Sequence, residues 1–130
     1  GTSIAIADKE RMAHDEKAKI LQIIGDVRGK TAIVVDDFTI SGGTLASVSI
    51  ELVKQGATEV YAAVTHGVLA GNAIERLEHS PLKCLFITDT VENQPVEFSD
   101  KIEIISVAPI FGEAIKRIHN RESISEMFPK

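Results

Sequence analysis

The sequence is short of several things that would have decided its class. It holds one cysteine, Cys84, in 130 residues, which excludes an internal disulfide and fits a reducing compartment. Cys84 lies in the apolar run Cys-Leu-Phe-Ile, where a buried, inert thiol is the expected role. No segment approaches the roughly 18 apolar residues of a membrane span, and no signal peptide is visible. Positive charge is not in excess: the net charge is -5, which argues against a nucleic-acid surface. No Gly-Lys-Ser/Thr P-loop and no G-x-G-x-x-G fingerprint occurs. His14, His79 and His119 show no metal-ligand spacing with one another or with Cys84.

What remains is an ordinary globular composition, 44% apolar and 25% charged, long enough for one domain with a real core. The chain begins at Gly1 inside an apolar stretch and without an initiator Met. Gly1 therefore reads as foreign to the natural sequence, and the chain as a piece of something longer.

Residues 4–7 read as a short strand, and the charged stretch 8–19, which lacks a sustained period, as a mobile loop. Residues 21–24 form a second strand ending at Gly25-Asp26. Residues 32–35 are a continuous apolar run rich in β-branched residues, the pattern of a strand covered on both faces. A helix over 44–55 follows, with Leu45, Val48, Leu52 and Val53 along one side and Gly56 as its C-terminal cap. The cycle repeats: strand 60–64, helix 70–77, strand 85–88, strand 102–107, and a last helix over 111–118 with Ile115 and Ile118 facing inward. Alternating strands and helices imply parallel crossovers, hence a doubly wound α/β domain with a mainly parallel sheet flanked by helices.

In such folds ligands bind beyond the carboxyl ends of strands, where strand order reverses. The run from Thr31 to Thr44 is built for that place. A buried strand emits Asp36 and Asp37, then turns through Ser41-Gly42-Gly43-Thr44 into a helix, whose free N–H groups and dipole favour an anion. Two acids would repel a bare phosphate, so sugar hydroxyls or a divalent cation are their natural targets. From the residues alone a second reading stands beside this one, with solvated turn aspartates and a Ser41 or Thr44 N-cap.

Val34-Val-Asp-Asp-Phe-Thr-Ile-Ser-Gly-Gly-Thr44 resembles the phosphoribosyl-binding signature of the type I phosphoribosyltransferase fold. Asp8-Lys-Glu-Arg11, Gly25-Asp-Val-Arg-Gly-Lys30, Gly56-Ala-Thr-Glu-Val-Tyr-Ala62 and Thr65-His-Gly-Val-Leu-Ala-Gly71 narrow the resemblance to the ribose-phosphate pyrophosphokinase family. So do Ser106-Val-Ala-Pro109, Glu113-Ala-Ile-Lys-Arg-Ile-His119 and Glu122-Ser-Ile-Ser125. The match runs in order along essentially the whole chain, and it resembles the C-terminal half of that two-part family.

The resemblance implies that residues 1–130 are a single ribose 5-phosphate-binding domain of a longer cytoplasmic enzyme, separated from the N-terminal half that supplies much of the ATP site. It implies transfer of diphosphate from ATP to the 1-hydroxyl of ribose 5-phosphate, with Mg²⁺, in nucleotide biosynthesis. The fragment alone is expected to be inactive. Asp36, Asp37 and Thr39 would face the sugar, while Ser41, Gly42, Gly43 and Thr44 wrap the 5-phosphate. Lys9 and Arg11 would be the two cations of a mobile catalytic loop, and no metal ligand is assigned to this half. Ribose 5-phosphate, ATP, the missing half and further copies of the chain are the expected partners, with no nucleic acid and no membrane.

Many family members carry a third acid where this chain has Ile40, and Thr in place of Ser41. An apolar Ile40 is expected to pack beneath the loop while Thr39 takes over a polar contact. The alternatives are a non-catalytic regulatory relative that assembles with active subunits, for which Ile40 speaks, and a stand-alone phosphoribosyltransferase. His66 is left open between a ligand-side group and a hydrogen-bonded structural one.

Overall fold

The computed structural model describes residues 4–11, 19–92 and 99–128. Two strands, β1 (Ile6–Arg11) and β2 (Lys19–Ile24), pair antiparallel as a sheet of their own, Ile6 opposite Ile24 and Arg11 opposite Lys19. A four-stranded parallel sheet follows, made of β3 (Thr31–Thr39), β4 (Glu59–Gly67), β5 (Cys84–Thr88) and β6 (Ile102–Ile105). Helix α1 (Gly43–Lys54) joins β3 to β4, α2 (Ala73–Glu78) joins β4 to β5, and α3 (Ala108–His119) follows β6. A short 3₁₀ turn, Ser125–Met127, comes last. The class is α/β, a parallel sheet with flanking helices.

Strand order in the larger sheet is β3-β4-β5-β6, the order of the chain. Right-handed crossovers taken in one direction place α1 and α2 on the same face. That face carries the core: Val60, Ala62 and Val64 of β4, and Leu85 and Ile87 of β5. They are buried against Leu45, Val48 and Leu52 of α1 and Ala73 and Leu77 of α2. Burial of each Val, Leu or Ile among these stabilises by about 1.5–3 kcal/mol. Ile23 of β2 joins this cluster, so the small sheet leans on α1.

Helix α1 ends in a Schellman turn. The Gly56 amide donates to the Val53 carbonyl at 2.9 Å and the Ala57 amide to that of Leu52 at 3.0 Å, with Gly56 at φ +96°. Arg28 lies so close that a Cβ on Gly56 would stand 3.2 Å from its Cγ. The cap anticipated at Gly56 is there.

Other expectations fail for identifiable reasons. Residues 8–11 and residue 19 are strand rather than loop, because backbone pairing between β1 and β2 holds a segment whose side chains carry no apolar period. Residues 12–18 of that stretch lie outside the described residues. The run in β3 is covered on one face only: Ala32 and Val34 touch the core, while Ile33 and Val35 are 65% and 78% exposed. Ile115 and Ile118 are exposed as well, since α3 buries none of its residues. Their spacing groups them on one stripe without supplying anything to cover it. Val53 is likewise exposed.

Candidate functional site

β3 carries Asp36 and Asp37 out of the sheet at its C-terminal end. Successive strand residues alternate faces, so Asp36 shares the side of Ala32 and Val34 and Asp37 that of Ile33 and Val35. Each carboxylate is tied to the next peptide: Asp36 Oδ1 accepts from the Asp37 amide and Asp37 Oδ1 from the Phe38 amide, both at 2.9 Å. Both side chains are exposed, and each keeps its other oxygen for a ligand.

The chain then turns from strand to helix. Thr39 is buried, and its carbonyl accepts from the Val68 amide at 2.9 Å; the Ile40 carbonyl accepts from Ala70 at 2.8 Å. These two bonds pin the start of the turn to the end of β4. Gly42 precedes α1 at φ +66°, ψ -2°, the left-handed region. A Cβ there would stand 3.0 Å from Leu77 Cγ and 3.3 Å from the Ala73 carbonyl oxygen. Glycine is required twice over, for the backbone angle and for the close approach of α2. α1 has no side-chain cap, and the Gly43 amide reaches only the Ser41 hydroxyl, at 3.4 Å. The first N–H groups of α1 therefore stand open to an incoming anion.

Residues 36–44 together line one concavity of about 250 Å³. It brings together Asp36, Asp37, Thr39, Ser41, Gly42, Gly43 and Thr44, seven of the nine site residues anticipated from sequence. Acids stand at the strand end and N–H donors at the helix end, an arrangement that can take a polyhydroxylated molecule bearing a phosphate. Lys9 and Arg11 belong to the backbone of β1, and their side chains lie outside the described residues.

Ile40 does not pack beneath the turn. It is 51% exposed and lines the concavity, because the turn's underside is already filled by Leu77 against Gly42. Thr39 is the buried member of that pair.

Arg76 was not anticipated. From α2 its Nη1 donates to the Ser41 carbonyl at 2.5 Å, and Nη2 to Asn72 Oδ1 at 3.1 Å. A fixed positive charge thus braces the outside of the glycine turn. His66 Nδ1 shares a 2.7 Å hydrogen bond with Thr90 Oγ1, while Thr88 Oγ1 donates to the Thr65 carbonyl at 2.6 Å. His66 is accordingly a hydrogen-bonded group at the ends of β4 and β5. The Cys84 thiol is half-buried and pushed up by burial and then by Glu103, which keeps it protonated and inert. Among the described residues no three His, Cys, Asp or Glu side chains cluster as a metal site. Nor is any described helix long and apolar enough to cross a membrane.

Comparison with known proteins bears on the family and the fold. Residues 3–129 match the family described as phosphoribosyl synthetase-associated domain. The ribose-phosphate pyrophosphokinase of Caldanaerobacter subterraneus subsp. tengcongensis is 50% identical over 125 residues, 96% of this chain and 39% of that protein. That of Clostridium acetobutylicum is 49% identical over the same share. The crystal structure of phosphoribosylpyrophosphate synthetase from Mycobacterium smegmatis superimposes with a TM-score of 0.76 at 29% identity. It covers 88% of this chain and 37% of that one. The chain spans about two-fifths of the length of the relatives it matches.

Proposed function

The chain belongs to the phosphoribosyl synthetase-associated domain family, and from that premise we propose that it is the ribose 5-phosphate-binding domain of a cytoplasmic ribose-phosphate diphosphokinase. The observation that carries this reading is the single concavity formed by residues 36–44, with acids at one end and open helix N–H groups at the other. Asp36 and Asp37 accept hydrogen bonds from the ribose hydroxyls through their outward oxygens. The amides of Gly43 and Thr44, with the Ser41 and Thr44 hydroxyls, receive the 5-phosphate, and the α1 dipole and Arg76 add positive potential.

In the longer enzyme the sugar's 1-hydroxyl oxygen attacks the β-phosphorus of ATP. An O–P bond forms there, the bond between the α- and β-phosphoryl groups breaks, the hydroxyl proton is lost, and AMP leaves. Lys9 and Arg11 are the cations proposed to offset the charge that builds on the transferred oxygens. Among the described residues no three His, Cys, Asp or Glu side chains form a cage for Mg²⁺; Asp36 and Asp37, each with one oxygen engaged by an amide, could hold the ion only together with waters and substrate oxygens. No step is assigned to the metal in this part of the protein.

ATP and its metal belong, in this reading, to the half that these 130 residues do not include, so the isolated chain binds sugar phosphate weakly and does not turn over. AMP release from ATP and ribose 5-phosphate by the purified 130-residue chain would overturn that division of labour. A second reading, a non-catalytic regulatory relative, is favoured by one observation: the exposed Ile40 in the sugar-facing turn. Assay of the longer protein with Ile40 and with Ile40→Asp separates the two. Comparable rates support the enzyme, whereas activity created from none supports the regulator.

A further inference from the structure

The last turn of α2 is closed by a side chain from another element. Lys101, half-buried just ahead of β6, donates from Nζ to the carbonyls of Glu78 and Ser80, both at 2.9 Å, and of Leu77 at 3.3 Å. An ammonium group has three N–H donors, and here three main-chain carbonyls meet it. Leu77 and Glu78 are the final residues of α2, where carbonyls lack helical partners and the helix dipole favours a cation. The backbone of Lys101 is anchored too. Its carbonyl accepts from the Leu85 amide at 2.7 Å, and its amide donates to the buried Ser99 hydroxyl at 3.2 Å. That hydroxyl in turn donates to the Glu78 carboxylate. One residue thus ties the end of α2 to the sheet.

α2 depends on such a tie. Its six residues are too few for a stable helix unaided, and only Ala73 and Leu77 are buried. Those two are the residues that meet the glycine turn, since a Cβ on Gly42 would stand against the Leu77 side chain and the Ala73 carbonyl. Arg76 of the same helix donates to the Ser41 carbonyl. The outer support of the turn is therefore carried by one short helix, whose far end Lys101 holds.

We propose, on the function put forward for residues 36–44, that Lys101 is a positioning residue for the sugar-phosphate site. Through α2 it keeps Leu77 and Arg76 against the Ser41-Gly42 turn, and so sets the spacing of the amides that receive the phosphate. Lys101 does not line the concavity and acts only through these contacts. The path is short: Lys101 to the Leu77 carbonyl, the Leu77 side chain to Gly42, and Gly42 into the first turn of α1. Close-packed interiors transmit displacement along such a path, and misplacement by about 1 Å can cost about 100-fold where geometry matters.

Isothermal titration of ribose 5-phosphate into the longer polypeptide that contains this chain tests the role. Lys101→Met is expected to weaken binding roughly 10-fold, and Lys101→Arg, which keeps donors and charge, to stay within about threefold of the unaltered protein. The ratio for Lys101→Met should persist at about 0.5 M salt, which screens any through-space effect of the lost charge. Val60→Ala, a core truncation at the end of β4 away from the site, should lower the urea midpoint and leave the affinity unchanged. Equal affinity in Lys101→Met, a ratio that collapses in salt, or an equal loss in Val60→Ala overturns the proposal. If Lys101→Met does not fold, Lys101→Gln, which retains a donor pair, decides in its place with an expected loss of about 3- to 5-fold, and full affinity there overturns the proposal. An unaltered protein that binds no ribose 5-phosphate would instead sink the proposed function, and the role of Lys101 with it.

Discussion

At the residue scale the account turns on Gly42, Asp37 and Arg76. Gly42→Ala forces a Cβ into the left-handed region and against Leu77 and the Ala73 carbonyl. The left-handed backbone alone costs about 1–2 kcal/mol, and relief is blocked by the fully buried Leu77 side chain and, slightly farther off, the Ala73 carbonyl. Urea unfolding is expected to show a lower midpoint with an unchanged slope; an unaltered midpoint would contradict the close packing of the turn on α2. Arg76→Ala removes the brace on the Ser41 carbonyl and a nearby positive charge. It is expected to weaken ribose 5-phosphate binding about 5- to 10-fold, in line with a charge-assisted hydrogen bond acting through the loop. Isothermal titration measures it, and full affinity in the variant would reduce Arg76 to a surface group. The seven site residues that line the concavity were legible in sequence because all fall within the run 36–44, so one motif contains them. Arg76 was not, because its contact lies 35 residues away in the chain and a lone arginine on a helix has no spacing to read. Ile40 was misplaced for a related reason: the space beneath the turn is filled by Leu77, which no local pattern reveals.

At the element scale the entry to α3 is held by Asp89, whose Oδ1 accepts from the Val107 amide at 2.9 Å. Hydrogen bonds from Ser106 and from that amide hold the Asp89 carboxyl below the usual range. A folded pKa lower than the unfolded one means the bond stabilises above the unfolded value near 4 and is lost as pH falls through the folded value. Acidification from pH 5 towards about 3 is therefore expected to lower the protection of the Val107 amide and of the first turn of α3, once exchange is corrected for its intrinsic pH dependence. Asp89→Asn should flatten that dependence, and an identical acid profile in the variant would dismiss Asp89 as the cause. Repeated strands and helices were readable here because apolar period and turn residues are local signals. The β1–β2 pair was legible only in part: 4–7 and 21–24 read as strands, whereas residues 8–11 and 19 did not, because backbone pairing orders a charged segment that has no apolar period.

At the scale of the whole molecule the fold class followed from the alternation of elements, but the covering of its faces did not. Amphipathic spacing assigns Ile115 and Ile118, or Ile33 and Val35, to a common face without saying what lies over it, and all four are exposed. Leu77→Ala tests the part that is covered. Leu77 is fully buried between the sheet and the Gly42 turn, so its truncation is expected to cost about 2–5 kcal/mol in chemical denaturation and to loosen the turn. A cost under about 1 kcal/mol would mean that α2 is not packed as described.

The central claim is that residues 36–44 form a ribose 5-phosphate site, and nuclear magnetic resonance titration of the isotope-labelled chain with ribose 5-phosphate tests it most directly. The predicted result is saturable shifts centred on the amides of Asp37, Gly43 and Thr44, abolished or strongly weakened in Asp37→Asn while inorganic phosphate still perturbs the helix N-terminus. Shifts centred elsewhere, or the same affinity for sugar phosphate in Asp37→Asn, would contradict it.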